Sequence, residues 1–114
     1  MKVLITGGAG YIGSHLYSLM KKMGYDPVIL DNFCNSKNIV LDKIKEIVND
    51  KVSFIEGDIM DIEFMINLLR KFKIDSVIHL AGFKSVSDSY NSPIDYYKNN
   101  VFGTLCLIEA MKTE

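Results

Sequence analysis

The residues in this sequence with the clearest chemical purpose are glycines. Thr6-Gly7-Gly8-Ala9-Gly10-Tyr11-Ile12-Gly13 lies between an apolar run and a helical pattern. A corner of that kind can seat a pyrophosphate on main-chain amides at a helix N-terminus. Close approach is the requirement: the early glycines, Gly7 among them with Gly10, allow a sharp turn, and Gly13 lets the helix lie near the sheet. A hydrogen bond from a backbone N–H to a charged oxygen contributes about 1.5–3 kcal/mol and the helix dipole about 0.3–1 kcal/mol, so the loop needs no lysine. An isolated glycine motif is more often a plain turn, but the strand–turn–helix setting favours binding here.

Asp31 stands at the end of the next apolar run, about 20 residues beyond the glycines, where a carboxylate can accept both hydroxyls of an adenosine ribose. It would also repel a 2′-phosphate, and no arginine is near in sequence, so the pattern favours NAD over NADP. The plain alternative is a solvated turn residue. Asp58, in Gly57-Asp58-Ile59, takes the same place after the third run and can meet adenine's amino group, or can simply cap its loop. Leu80-Ala81-Gly82-Phe83-Lys84 follows the fourth run with small residues that permit close approach, and Lys84 either reaches a phosphate or sugar hydroxyl or is a solvated surface lysine. Asn99 is either exposed or directed into the cleft.

Other residues with chemical potential are set aside. Tyr17-Ser18-Leu19-Met20-Lys21 matches a Tyr-x-x-x-Lys catalytic spacing but lies on the first helix beside its core face, and is read as a decoy. His15 and His79 have no metal-pair spacing and no carboxylate cluster beside them, so no metal site is expected, and His79 reads as a hydrogen-bonded core histidine. Cys34 and Cys106 form no Cys-x-x-Cys pair and read as reduced core thiols. The methionines at 20, 23, 65 and 111 read as core filling. No Gly-x-x-x-x-Gly-Lys-Ser/Thr segment supports a nucleotide triphosphatase.

The elements that must position these residues follow from periodicity. Strands are expected at Lys2–Thr6, Pro27–Leu30 ending at Asp31, Val52–Ile55 and Ser76–His79. A first helix turns Ile12, Leu16, Leu19, Met20 and Met23 inward and stops at Gly24. A loop with Asn32, Asn35, Ser36 and Asn38 leads to a second helical face of Val40, Ile44, Ile47 and Val48; a third is formed by Ile62, Met65, Ile66, Leu69 and Phe72. After a loop through Pro93, the last helix is expected to carry Tyr97, Val101, Leu105 and Ile108 inward. Strands that are continuously apolar and alternate with helices indicate an α/β fold: a doubly wound parallel sheet, Rossmann-like, with four β-α units.

Composition agrees with one soluble domain and limits the partners. The 114 residues are 48% hydrophobic and 24% charged, with 13 Lys+Arg against 14 Asp+Glu. That balance, without a basic run, leaves no footprint for nucleic acid or an anionic membrane surface. No apolar run approaches the roughly 18 residues of a spanning helix, and the start breaks into glycines too early for a signal-peptide core, so the cytoplasm is the expected location.

Four segments together resemble the UDP-galactose (UDP-glucose) 4-epimerase family of extended short-chain dehydrogenases/reductases: the glycine corner through Ser14-His15, Leu30-Asp31-Asn32-Phe33-Cys34-Asn35-Ser36, Glu56-Gly57-Asp58-Ile59, and Val77 through Val86. Asn99-Asn100-Val101-x-Gly103-Thr104 continues the resemblance, which runs through essentially the whole chain. It implies that Gly7, Gly10, Tyr11 and Ile12 hold the pyrophosphate, and that Asp31 through Ser36, including Asn32 and Asn35, hold the adenosine ribose. It further implies that Asp58 and Ile59 hold adenine, and that Leu80, Ala81, Gly82 and Lys84 with Asn99 line the nicotinamide half. The implied cofactor is NAD and the implied substrate of the complete enzyme a UDP-sugar, epimerised by hydride transfer at its fourth carbon.

Members of that family are more than twice this length, and the resemblance places their catalytic serine, tyrosine and lysine beyond residue 114. The expectation is therefore a partial NAD-binding domain over 1–114, truncated or split, without the substrate domain and without catalytic residues, unable to epimerise by itself. An unpaired fourth strand and an apolar last helix are expected to promote a homodimer or aggregation. Two alternatives stay open: a stand-alone NAD-binding or sensing module, and another UDP-sugar-modifying relative.

Overall fold

The alternating pattern folds into one parallel sheet with helices on both faces. A computed structural model describes residues 1–33 and 39–113. Strands β1 (Lys2–Thr6), β2 (Asp26–Asp31), β3 (Phe54–Glu56) and β4 (Ser76–His79) lie in the order β3-β2-β1-β4, every pair parallel. The order reverses beside β1, so the fold winds outward in both directions from the first strand. The register sets Thr6 opposite Leu30 on one side and His79 on the other, and Asp31 opposite Glu56, which aligns the C-terminal tips of all the strands.

Successive side chains of a strand point to opposite faces, which is why these strands are apolar throughout. Val3, Ile5 and Ile29 face one layer and pack with Tyr17 and Met20 of α1 (Tyr11–Lys22) and Leu41 and Ile44 of α2 (Ile39–Val48). Leu4, Val28 and Leu30 face the other, packing with Met65, Leu68 and Leu69 of α3 (Ile62–Phe72) and with Leu107 and Ala110 of the last helix. Asp61 caps α3 by accepting the Phe64 N–H at 3.0 Å. Gly24 follows α1 with a φ of 85°, the left-handed backbone that suits glycine at a helix stop.

The chain after β4 departs from expectation. Residues read as loop form α4 (Val86–Asn91), whose N-cap Ser85 accepts the Asp88 N–H. Next come α5 (Pro93–Tyr97), a π turn over Lys98–Phe102 and α6 (Gly103–Thr113), which run on without a break. Pro93 occupies the first turn of α5, as expected. The inward face of this helix is the reverse of the one expected: Gly103, Cys106, Leu107 and Ala110 are buried, while Tyr97, Val101, Leu105 and Ile108 are exposed. Small residues decide it, because a methyl added at Gly103 would sit 3.0 Å from Ile59 Cδ1, so only this face can approach so closely.

The correction is partial on α1: Met20 is buried and Leu16 packs on the core as expected, but Ile12, Leu19 and Met23 are exposed and Gly13, Tyr17 and Ser18 are buried instead. On α2, Ile47 is exposed and Leu41 buried instead. Strand β3 begins later than Val52, although the Ser53 carbonyl already accepts the Ile29 N–H at 2.8 Å. No helix among the described residues is long and apolar enough to cross a membrane.

Candidate functional site

The glycine corner closes on itself. Gly7, with a φ of 67°, donates its N–H to Leu30 O at 2.8 Å, and its carbonyl accepts the Gly10 N–H at 3.0 Å. The turn has no room for side chains at Gly7, Gly8 or Gly13. A Cβ on Gly7 would stand 2.8 Å from Ala81 N, and one on Gly13 would stand 2.5 Å from Gly7 O and 2.7 Å from Gly8 Cα. Helix α1 therefore starts directly against the turn, with Gly10 as its N-cap. Among the described residues no side chain caps that end, and no acidic residue lies in its first turn. Its first amides have no intrahelical acceptor and the dipole is positive there, which suits a diphosphate.

Asp31, only 7% exposed, joins this corner to the tip of β2. Its Oδ2 accepts the Ala9 N–H at 3.1 Å and its Oδ1 the Phe33 N–H at 2.8 Å. Each carboxylate oxygen has further acceptor capacity, so both remain able to take a ligand hydroxyl. Asp58 caps its loop, Oδ1 accepting the Met60 N–H at 2.9 Å and Oδ2 accepting from Asn32 Nδ2 at 3.4 Å, and the residue also lines the cleft.

A cavity of about 560 Å³ lies over these strand tips, in the position that open α/β sheets reserve for ligands. Its lining brings together Gly7, Gly10, Tyr11, Asp31, Asn32, Asp58, Ile59, Leu80, Ala81, Gly82, Lys84 and Asn99. Of the other residues expected at the site, Ile12 is exposed outside the cavity and Gly13 is buried beneath the turn. Asn35 and Ser36 lie outside the described residues. Tyr11 is exposed at the cavity's edge, its ring set edge-on to His15 with centroids 4.9 Å apart.

The lining also includes Phe83 of the loop already singled out and residues that sequence reasoning does not propose: Leu30, Gly57, Ser85, Asp88, Ser92, Asp95 and Tyr96. Ser85 and Asp88 belong to α4 and its cap, where the sequence indicates a loop, and Ser92, Asp95 and Tyr96 to the start of the expected last helix. Ser85 followed three residues later by Asp88 is a capping pattern that could have revealed α4. Tyr96 fastens the region by accepting the Ser85 N–H at 3.1 Å while its ring packs on Phe83, centroids 5.2 Å apart.

Floor and wall are joined by hydrogen bonds. Thr6 Oγ1 lies 2.6 Å from His79 Nδ1, and His79 Nε2 lies 3.0 Å from Thr104 Oγ1. His79 is hydrogen-bonded through both ring nitrogens as expected but half-buried rather than in the core, and its burial lowers its pKa from the ordinary histidine value. Asn100 accepts the Phe83 N–H at 2.8 Å and donates to the Phe83 carbonyl at 2.9 Å. The Tyr17–Lys21 pair plays no part in the cleft. Tyr17 is fully buried with its hydroxyl accepting the Ser53 N–H at 3.0 Å, and Lys21 pairs with Asp50 at 3.3 Å. Among the described residues no cluster of metal-ligating side chains occurs.

Comparison with known proteins places this geometry among relatives. A family model described as GDP-mannose 4,6 dehydratase matches residues 4–114. The chain is 48% identical over 112 residues to a UDP-glucose 4-epimerase of Klebsiella pneumoniae, covering 98% of this chain and 81% of the relative. It is 49% identical to a UDP-glucose 4-epimerase of Yersinia pestis over 98% of this chain and 33% of the relative. Among solved structures, a UDP-glucose-4-epimerase from Stenotrophomonas maltophila with bound NAD and formylated UDP-arabinopyranose superposes with a TM-score of 0.95 at 40% identity, over 98% of this chain and 33% of that one. The UDP-glucose 4-epimerase from Bifidobacterium longum in complex with NAD+ and UDP gives 0.94 at 39% identity, over 99% and 34%. The chain spans about a third of the length of the Yersinia relative and of both solved structures.

Proposed function

The chain belongs to the NAD-binding epimerase/dehydratase family of extended short-chain dehydrogenases/reductases, and we propose that it is the dinucleotide-holding part of a UDP-glucose 4-epimerase. The cleft fits the cofactor on its own terms: a glycine turn with no room for a Cβ at Gly7, Gly8 or Gly13, a helix end that no side chain among the described residues caps, and a buried carboxylate with acceptor capacity to spare. The chemistry supplied by bound NAD is reversible hydride transfer at the fourth carbon of a UDP-sugar, through a 4-keto sugar.

In this reading the main-chain amides at the start of α1, Tyr11 and Ile12 with Gly13, hold the diphosphate, and Gly7 and Gly10 shape the turn that lets it approach. Asp31, with Asn32, Asn35 and Ser36, accepts the adenosine ribose hydroxyls, and Asp58 and Ile59 flank adenine. Leu80, Ala81, Gly82, Lys84 and Asn99 wall the other half, where the small residues let the ligand lie close and Lys84 brings a cation. Asp31, Asp58, Asp88 and Asp95 all line the cavity, and their charge opposes a further phosphate, which favours NAD over NADP. No residue of this chain is assigned proton transfer at the sugar. The span 1–114 is thus a partial NAD-binding domain, its UDP-sugar met only in the complete enzyme, and its exposed helical face favours a homodimer.

The observation that carries this reading is Asp31 reaching from the tip of β2 to the glycine corner while lining the cavity. Calorimetric titration tests it. NAD should bind, NADP should bind at least about tenfold more weakly, and Asp31→Ala should abolish the NAD signal. The chain with NAD and UDP-galactose should form no UDP-glucose. Absence of NAD binding, or equal affinity for NADP, would overturn the cofactor assignment; turnover at enzymatic rates would overturn the assignment of catalysis elsewhere.

A further inference from the structure

We propose that His79 is a positioning residue for the cleft, setting through the Thr6 hydroxyl the place of the loop that leaves β4. The inference rests on reading the cleft as a dinucleotide site. Its basis is a chain of hydrogen bonds in which the position of every proton is determined. Thr104 Oγ1 donates to the Asn100 carbonyl at 2.7 Å, which uses its only hydrogen, so it must accept from His79 Nε2 at 3.0 Å. The neutral ring therefore carries its proton on Nε2 and leaves Nδ1 bare. The Thr6 hydroxyl, 2.6 Å away, donates to that bare nitrogen. Its lone pairs are then free to accept the Ala81 N–H at 3.3 Å and to share, at 3.1 Å, the Leu80 N–H that also donates to the Thr6 carbonyl at 3.0 Å.

Those two amides begin the wall of the cleft. Ala81 N is also the atom that a methyl on Gly7 would strike at 2.8 Å, so the direction of one hydroxyl fixes the gap between the glycine turn and the β4 loop. The far end of the same loop is held by Asn100, whose side chain pairs with both backbone groups of Phe83 and whose carbonyl is the final acceptor of the chain. Burial favours the uncharged ring that this arrangement needs. Every buried side-chain polar atom among the described residues has a partner, so the network holds no slack.

The sheet order makes the effect one-sided. Asp31 and Asp58 lie at the tips of β2 and β3, on one side of the glycine turn, and the Leu80–Lys84 loop lies on the other. Adenosine and diphosphate should therefore be indifferent to His79, while the second nucleotide should depend on it. The test is titration of NAD and of ADP into the wild-type chain and into the Thr104→Val, Thr104→Ser and His79→Ala variants. Thr104→Val should weaken NAD by about five- to tenfold and leave ADP within about twofold, with Thr104→Ser restoring the wild-type value. Should His79→Ala fail to fold, the nitrogen-15 spectrum of the wild-type imidazole gives a second reading, with Nδ1 expected as the unprotonated nitrogen. Unchanged NAD affinity in Thr104→Val, equal weakening of both ligands, or a protonated Nδ1 would overturn the proposal. A wild-type chain that binds NAD no more tightly than ADP would overturn it too while leaving the cofactor reading intact, and one that binds neither would overturn both.

Discussion

Gly13 and Gly10 occupy one corner, yet their hydrogens differ in what they make possible. A Cβ at Gly13 meets backbone atoms at 2.5 and 2.7 Å, which cannot rotate away, whereas a Cβ at Gly10 meets only Gly7 O at 3.2 Å. Gly13→Ala should therefore shift the whole turn, costing about 1–3 kcal/mol of stability and most NAD affinity; Gly10→Ala should cost less of both. Denaturant melts and titration calorimetry of the two variants check the ranking, which equal losses would refute. His79 gives a second prediction, on pH. Its folded pKa lies below the ordinary histidine value of about 6.5, so below that pH the unfolded chain binds more protons than the folded one. The contribution to stability is complete above about pH 6.5 and is lost as pH falls through the folded pKa. Melts between about pH 7 and 5 should show a steeper loss for wild type than for His79→Gln, and parallel curves would contradict the assignment.

At the scale of elements, what could be read from the chain and what could not divide along one physical line. The limits of Lys2–Thr6 and Ser76–His79 were legible because each has an unbroken apolar centre, Val3-Leu4-Ile5 and Val77-Ile78, between polar ends. The glycine corner and Asp31 were legible because close backbone approach and a strand-tip carboxylate leave fixed spacings. The facing of the helices was not. The last helix carries two apolar stripes, and periodicity alone prefers the larger side chains, Tyr97, Val101, Leu105 and Ile108, which are the exposed ones. The buried stripe of Gly103, Cys106, Leu107 and Ala110 wins because α6 must lie close against α3 and Ile59, a distance only small residues permit. The π turn was also illegible, since a single wide turn leaves no periodic trace. Part of one side of the cleft, contributed by Ser85 and Asp88, was lost with α4 because so short a helix shows too few turns for a stripe to appear.

At the scale of the molecule, two surfaces are left without partners in the same region. Strand β4 pairs with β1 on one side only and is an edge of the sheet. Beside it the continuous helix from Pro93 to Thr113 exposes Tyr97 at 70%, Val101 at 51%, Leu105 at 57% and Ile108 at 49%. Four large apolar side chains in one stripe resemble the seam of a helix pair more than an ordinary solvated face, where such residues are scattered singly. Charge does little to oppose association, with a net of -1 for the chain. The 12.9 kDa chain should therefore sediment as a dimer or larger species at concentrations on the order of 100 µM. Val101→Glu with Leu105→Glu should return it to a monomer, because two carboxylates facing their copies across a twofold interface repel and must be stripped of water. The cleft lies at the strand tips and does not use these side chains, so NAD affinity should survive the double substitution. A wild-type chain that remains monomeric at that concentration would show that the stripe is tolerated in solvent, and a double variant that still associates would transfer the self-contact to the β4 edge.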